Sequence, residues 1–299
     1  MQKTREDNQK PELLKASIIF ALVVIAAFAP VVFLDQTYYR NTPIPPEFLG
    51  YENKTTIFGV TADYSDIGVW PYVKLATEQI SNGNIPLWNP HAGIGTPLGA
   101  DSTFHIFSPY NLGFFLPSSL WDVPILIGVW LAGFFTFLFL RSLKLKFFAA
   151  VTGGICFMLS GGITWYLTNP NFLVVMMTPL ILYSLEKIIQ NRDPRFITVL
   201  SISFLLTILA GHLETIVLQF VFVGIYFFYR IIIKGNYSKR IDRKKLSVVF
   251  FCLLGFFIGL GLSMFFILPV YELIDNNILE HEPGIGLSHY STINVITSF

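Results

Sequence analysis

The chain has 299 residues, of which 53% are hydrophobic, 16% aromatic and only 13% charged, and its formal net charge is +1. Soluble domains carry about 25% charged residues, so this composition excludes a typical soluble enzyme, a nucleic-acid-binding protein and a disordered regulator. The mean hydropathy of +0.60 predicts an integral membrane protein. Cys156 and Cys252 both lie in apolar runs, so neither a disulfide framework nor a zinc site is indicated.

Seven apolar stretches approach or exceed the length that a helix needs to cross the ~30 Å hydrocarbon layer. They cover residues 16–34, 123–140, 147–167, 172–189, 196–210, 213–229 and 246–271. The fourth and fifth are the weakest, because the fourth contains Pro179 and the fifth is short. The pattern predicts an all-α polytopic membrane protein with about seven transmembrane helices. Gly153-Gly154 and Gly161-Gly162 in the third stretch are predicted to let helices pack closely.

The basic residues predict the orientation, because Lys and Arg concentrate in cytoplasmic loops. With the N-terminus inside, 17 of the 20 basic residues fall in inside segments, and only Arg40, Lys54 and Lys74 lie outside. Thirteen of the 19 acidic residues and all five histidines lie outside. We therefore expect one membrane domain spanning the chain, with residues 1–15 in the cytoplasm and six further helices within residues 123–271.

Two regions are predicted outside the cytoplasm: a large first loop, residues 35–122, and a tail, residues 272–299. Loops this long are usually functional or disordered, and the aromatic content of the first loop argues against disorder. The tail stops without a terminal helix or cap. We expect it to be the start of a missing region.

Residues 63–82 in the first loop predict an amphipathic helix at the membrane interface. Its apolar side chains recur at near-helical spacing: Ile67, Trp70, Val73 and Ile80. Asp63 and Asp66 stand three residues apart, on one face of this helix. They are either solvated carboxylates favoured by the helix dipole, or a general base or metal ligand at the outer membrane surface.

Residues 85–101 are rich in Gly and Pro, which predicts a loop folded back on its neighbours rather than a regular element. Asn89, His91 and Asp101 are its polar groups best suited to face a ligand. Residues 103–116 predict a second interfacial segment, broken at residues 108–110. The loop carries neither a strong metal motif nor a glycine loop for nucleotide phosphates.

Several pieces of the chain together resemble the YfhO-type bacterial membrane proteins, which belong to the multi-span glycosyltransferases of the GT-C class. The pieces are Asp66, Gly83-Asn-Ile-Pro-Leu-Trp-Asn-Pro, Gly93-Ile-Gly-Thr-Pro-Leu, Phe107-Ser-Pro-Tyr-Asn-Leu, Gly211-His212 and Leu268-Pro-Val-Tyr-Glu-Leu. They occur in order over essentially the whole chain, and the block in the first loop is the specific part.

The resemblance implies a multi-pass protein of the bacterial plasma membrane that works at its extracytoplasmic face. There it would move a sugar from a polyprenyl-phosphate-linked donor in the bilayer to a cell-envelope glycopolymer or lipid acceptor. Asp66 matches the position of the catalytic carboxylate in that class. A carboxylate there could take the proton of the acceptor hydroxyl as the anomeric carbon is attacked.

The resemblance also implies positive charge near the departing polyprenyl phosphate. A divalent cation, Mg²⁺ or Mn²⁺, could supply it with Asp63 and Asp66 as ligands, or a basic side chain could. Lys74 lies about two helical turns from Asp66, ~12 Å away, which suits opposite ends of one substrate. His212 could contact the phosphate or the acceptor, or it could be a solvated residue of a tight turn.

Members of this family are commonly far longer, so we expect an N-terminal fragment or truncated member, whose activity is open. A transporter and a non-catalytic envelope assembly factor are the alternative functions. Transport pathways often place ionisable residues near the bilayer midplane. The predicted spans carry ionisable residues only at their ends: His212 and Glu214 at an outer end, and Glu186 and Lys187 at an inner end.

Overall fold

A computed structural model of the chain describes residues 2–34, 70–117, 120–233 and 243–276. Asp63 and Asp66, which carry the predicted catalytic and metal-binding roles, lie outside the described residues. Arg40, Lys54 and most of the predicted tail lie outside them as well. The roles assigned to these residues therefore stay predictions.

The described chain is mainly helical and has only two short strands, which confirms the predicted all-α class. The helices are α1 (Gln2–Ala27), α2 (Ala29–Phe33), α3 (Trp70–Ser81), α4 (Val123–Ser142), α5 (Phe147–Met158), α6 (Gly161–Thr164), α7 (Pro170–Asn191), α8 (Arg195–Leu209), α9 (Leu213–Phe228), α10 (Arg243–Leu262) and α11 (Met264–Asp275). Two short strands, β1 (Trp88–Asn89) and β2 (Thr96–Pro97), lie between α3 and α4.

All seven predicted apolar stretches fall on helices. Four segments are long and apolar enough to cross a membrane: Val123–Ser142, Phe147–Thr164, Pro170–Asn191 and Leu213–Ile232. Helices α10 and α11 would add a fifth span if the pair, bent by 64°, counts as one. Helix α8 is apolar but shorter. A multi-pass helical membrane protein is therefore confirmed, and the count of seven spans stays a prediction.

Helix α4 packs against α1, α5 and α7 around one apolar core. Its contact with α5 is close, because a Cβ on Gly154 would lie 2.8 Å from the carbonyl oxygen of Gly133. Gly154 thus has the predicted role of a close packing site. Gly161 and Gly162 do not, since a Cβ on either would have nothing within 4 Å among the described residues.

A buried ion pair links α7 to the π-helix Tyr229–Ile233 that follows α9. The side chain of Glu186 has no exposed surface. Its Oε1 accepts hydrogen bonds from Nε of Arg230 and from the hydroxyl of Tyr226 (2.5 Å). Its Oε2 accepts from Nη2 of Arg230 and Nε2 of Gln190, both at 2.7 Å. These four bonds use the whole acceptor capacity of the carboxylate.

The first loop has a small core of its own. Val73 and Ala76 of α3 pack there against Leu98, Phe104 and Ile106. Only the part of the predicted helix from Trp70 onward lies within the described residues. The apolar face of α3 is thus covered by the rest of the loop, at least around Val73.

The Gly- and Pro-rich stretch does contain a regular element, contrary to the prediction. Strands β1 and β2 pair antiparallel, with Trp88 opposite Pro97 and Asn89 opposite Thr96. The turn between them reverses the chain because Gly93 and Gly95 adopt positive φ angles of 57° and 104°. The second predicted interfacial segment forms two 3-10 helices, Ser102–Phe104 and Pro109–Phe115.

Candidate functional site

One aromatic contact and one close glycine contact fix the first loop to the ends of the membrane helices. The ring of Phe107 packs edge-on against Phe265 and Phe266 of α11, with centroids 5.5 and 6.4 Å apart. A Cβ on Gly113 would lie 2.3 Å from Cγ of Pro124, at the start of α4. The loop is therefore seated on the helix ends.

A third contact joins the loop to the turn between α8 and α9. Gly211 has a φ of +86°, and a Cβ on it would lie 2.0 Å from the carbonyl oxygen of Ser102 and 3.3 Å from Cβ of His105. Only glycine fits this approach without displacement. The contact brings the turn that carries His212 against the turn that carries Asp101 and His105.

We call five polar residues on these two turns and at the starts of α7 and α9 the polar cluster. It consists of Asp101, His105, Asn171, His212 and Thr215. Asp101 and His212 are predicted from the sequence as site residues, and the fold brings both to this place. The other three are not predicted, because nothing in their spacing distinguishes them.

Asp101 begins the first 3-10 helix and is buried. Its Oδ1 accepts a hydrogen bond of 2.9 Å from the backbone N–H of Thr103. Burial raises the pKa of Asp101 to about 6, although the hydrogen bonds with Thr103 oppose the shift. Burial also raises the pKa of Tyr72, and the nearby charge of Asp101 adds to that rise. A carboxyl with this pKa can take up and release a proton close to neutral pH.

His105 is buried and has a left-handed backbone, with φ 40° and ψ 39°. Such a conformation costs a non-glycine residue ~1–3 kcal/mol and occurs often at functional sites. It is held by two donors to the His105 carbonyl, the backbone N–H of Ser108 and Nδ2 of Asn111, both at 2.8 Å. Burial lowers the pKa of His105 to about 4, so the imidazole is neutral at physiological pH.

His212 caps the N-terminus of α9. Its Nδ1 lies 3.4 Å from the backbone nitrogen of Thr215 and 3.0 Å from the Thr215 hydroxyl. The hydroxyl of Thr215 donates its single proton to Oδ1 of Asn171 on α7. Burial lowers the pKa of His212, opposed by the charge of Glu214. His212 is thus half-buried and fixed in place, and no described residue contacts its Nε2 by a hydrogen bond.

The other predicted ligand-facing residues lie away from the polar cluster. Asn89 is buried, and its Oδ1 accepts from the backbone N–H of His91 at 2.9 Å, which stabilises the turn of the β-hairpin. His91 is exposed on that turn, and Lys74 is exposed on α3. Their predicted contacts with a substrate stay predictions.

The described residues contain no group of three or more His, Cys, Asp or Glu side chains that could hold a metal ion. Asp101 and His212 alone would give a divalent cation too few ligands. The cation predicted at Asp63 and Asp66 therefore depends on residues outside the described ranges.

An apolar cavity of about 410 Å³ lies beside the polar cluster. This volume is within the range of ligand-binding pockets, about 300–1,000 Å³. Its lining includes Tyr110, Ile127, Leu131, Leu173, Met177 and Leu206. The second 3-10 helix lines the cavity on one side, and its residue Asn111 holds the carbonyl of His105. The second 3-10 helix therefore connects the cavity to the polar cluster, although none of the five cluster residues lines the cavity itself.

Comparison with models of known families matches residues 74–280 to the family described as bacterial membrane protein YfhO. The match covers the hairpin, the polar cluster and most of the membrane helices, and it begins after Asp63 and Asp66. Searches of curated proteins and of solved structures each found no match.

Proposed function

Since the chain belongs to the YfhO family of bacterial membrane proteins, we propose that it is a GT-C-type glycosyltransferase. It transfers a sugar from a polyprenyl-phosphate-linked donor to a cell-envelope glycopolymer or lipid on the outer face of the plasma membrane. The observation that carries the proposal is the 3-10 helix Pro109–Phe115, which lines the apolar cavity and also bonds to the turn of the polar cluster. A donor with a hydrocarbon chain and a phosphate head group needs these two surfaces side by side.

The charge distribution supports the proposed side of the membrane. With the N-terminus in the cytoplasm, the polar cluster lies at the extracytoplasmic ends of the helices, and 17 of the 20 basic residues lie inside. Nucleotide sugars are cytoplasmic, so a transferase on the outer face requires a donor carried by a membrane lipid.

In the proposed reaction, the acceptor hydroxyl oxygen forms a bond to the anomeric carbon of the donor sugar. The bond from that carbon to the phosphate oxygen breaks, and polyprenyl phosphate leaves with the electron pair. Asp66 takes the proton of the acceptor hydroxyl. A Mg²⁺ or Mn²⁺ ion held by Asp63 and Asp66 would supply positive charge to the leaving phosphate.

The polar cluster binds the substrates in this proposal. In the tautomer whose Nδ1 accepts from the backbone N–H of Thr215, the ring proton of His212 lies on Nε2, which can donate to a phosphate oxygen. Asp101 and the exposed Lys74 contact other parts of the donor and acceptor. His105 is neutral and buried, and it shapes the turn on which Gly211 rests.

A transporter is less well supported. An ionisable residue inside a membrane helix usually marks a transport pathway, and Glu186 is such a residue. However, all four acceptor positions of its carboxylate are occupied by Arg230, Tyr226 and Gln190. The carboxylate of Glu186 therefore has a structural role, and it has no acceptor position left for a transported cation.

The test uses the purified protein in lipid nanodiscs with a radiolabelled polyprenyl-phosphate sugar and a cell-envelope acceptor fraction. We expect label to move to the acceptor and polyprenyl phosphate to accumulate. Ile127→Trp, which fills the cavity from its lipid-facing edge, should raise the KM for the donor. Val217→Trp on α9 is the matched control, since Val217 is also exposed and apolar but does not line the cavity.

Absence of transfer by the well-folded full-length protein would exclude the glycosyltransferase and favour a non-catalytic assembly factor. An unchanged donor KM in Ile127→Trp, with transfer intact, would show that the cavity does not hold the donor chain.

A further inference from the structure

The hairpin formed by residues 85–98, here called the Trp88 hairpin, exposes an unusual set of apolar side chains. Ile94 at its turn is fully exposed, and Ile85, Leu87 and Trp88 are 70%, 58% and 51% exposed. Isolated exposed apolar residues are common, but a cluster this dense marks a surface that contacts something apolar.

The same part of the chain lacks charge. Residues 79–100, between Glu78 and Asp101, contain no Asp, Glu, Lys or Arg. A water-facing surface loop of this length would ordinarily carry several charges. Exposed Trp and aliphatic side chains on one surface are typical of segments that lie in the interface of a lipid bilayer.

The backbone of the hairpin holds these side chains outward. The indole of Trp88 lies over Gly95, where a Cβ would be 2.5 Å from Cζ2 of the indole. Nε2 of Gln79 donates a 2.8 Å hydrogen bond to the carbonyl of Trp88, and this bond ties the hairpin to α3. One face of the indole therefore packs against the hairpin, and about half of the surface of Trp88 stays exposed for contact with another surface.

The base of the hairpin adjoins a surface that faces lipid. A Cβ on Gly99 would lie 2.9 Å from the carbonyl of Pro86 and 3.2 Å from the ring of Phe107. Phe107 in turn packs on Phe265 of α11, which is 54% exposed on a membrane helix. The exposed surface of the hairpin thus begins one aromatic ring away from the lipid-facing side of α11.

We infer that the Trp88 hairpin inserts into the head-group region of the outer leaflet, with Trp88 and Ile94 in contact with lipid. The insertion depth expected for such a segment is ~5–10 Å. Trp is favoured there because its ring has an apolar body and a polar N–H edge. The insertion holds the first loop against the bilayer, and it keeps the polar cluster at the depth of lipid head groups.

The test places a nitroxide spin label on Ile94→Cys, and separately on Leu87→Cys, in a Cys156→Ala/Cys252→Ala background in nanodiscs. Collision rates with oxygen, which partitions into lipid, and with a water-soluble nickel chelate report the depth of each label. Val217→Cys on α9 is the lipid reference. Glu78→Cys, exposed on α3 next to the hairpin, is the water reference.

We expect the labels at 94 and 87 to show a higher oxygen-to-nickel ratio than the label at 78. Equal ratios at 94, 87 and 78 would overturn the inference. Labels that are accessible to nickel in the nanodisc and become protected only when glycan acceptor is added would also overturn it. That result would make the hairpin an acceptor-binding surface. Ile94 is fully exposed, so its replacement removes no packing.

Discussion

Removing Arg230 should destabilise the protein far more than removing an exposed arginine. In Arg230→Met, the carboxylate of Glu186 keeps its charge and its buried position and loses two of its four hydrogen bonds. Breaking a buried ion pair from one side costs ~3–5 kcal/mol. At 1.4 kcal/mol for each factor of ten, this reduces the folding equilibrium constant by about two to three and a half orders of magnitude.

A second substitution should recover most of this loss. In Glu186→Gln/Arg230→Met the buried charge is gone, while Oε1 of the new side chain can still accept from Tyr226. Replacing both members of a buried pair is often neutral. The matched control is Arg141→Met. Arg141 pairs with Glu12 at 2.5 Å, but the two side chains are 31% and 38% exposed, so its loss should cost no more than ~1 kcal/mol.

The free energies of unfolding can be measured by SDS-induced unfolding in mixed micelles, followed by circular dichroism. From most to least stable, we expect the order wild type, Arg141→Met, the double variant and then Arg230→Met. Equal stability of Arg230→Met and the double variant would refute it, because the loss would not then come from an unpaired charge.

Three further predictions concern the cluster, its glycine and the topology. Between pH 4 and 6, Asp101 binds its proton more tightly in the folded protein than in the unfolded chain, because its folded pKa is about 6. The wild type should therefore lose about 3 kcal/mol of stability as the pH rises through this window. Asp101→Asn, which can keep the hydrogen bond to Thr103, should lack that part of the pH dependence. Gly211→Ala should cost more than ~2 kcal/mol, because it adds a clash with Ser102 to a left-handed backbone, whereas Gly224→Ala, with open space around it, should be neutral or stabilising in the same unfolding measurement. Reporter fusions after Lys245 and Asp275 should lie on opposite sides of the membrane, and one side for both would contradict the proposed topology.

The helices could be predicted from the sequence because long apolar runs in a membrane protein leave few alternatives. Their breaks could not. The stretch 246–271 reads as one span, but the chain bends by 64° between α10 and α11. Ser263 lies at the bend and donates its hydroxyl to the carbonyl of Gly259 at 2.8 Å, a contact that often bends helices. A single small polar residue hardly changes the hydropathy pattern, so the bend could not be predicted from it.

The candidate site could be predicted only in part. Asp101 and His212 are visible as polar residues in suitable loops, but their proximity depends on the contact between Gly211 and Ser102, more than 100 residues apart in the chain. His105 is distinguished by its left-handed backbone. It could not be predicted, because no sequence pattern reports that backbone angle. Gly154 and Gly161 both occur in Gly-Gly pairs, but among the described residues an added Cβ would meet another helix at Gly154 and nothing within 4 Å at Gly161.

The transfer rate of Asp66→Asn, measured with a polyprenyl-phosphate-linked sugar in nanodiscs, tests the proposed function most directly. Loss of a general base typically costs 10²–10⁴-fold, so the variant should fall by about that factor at the wild-type level of folded protein. Asp63→Asn is the comparison and should lose less, unless both carboxylates hold one cation, in which case both variants fall and chelator abolishes transfer. A transfer rate close to wild type in Asp66→Asn would contradict the assignment.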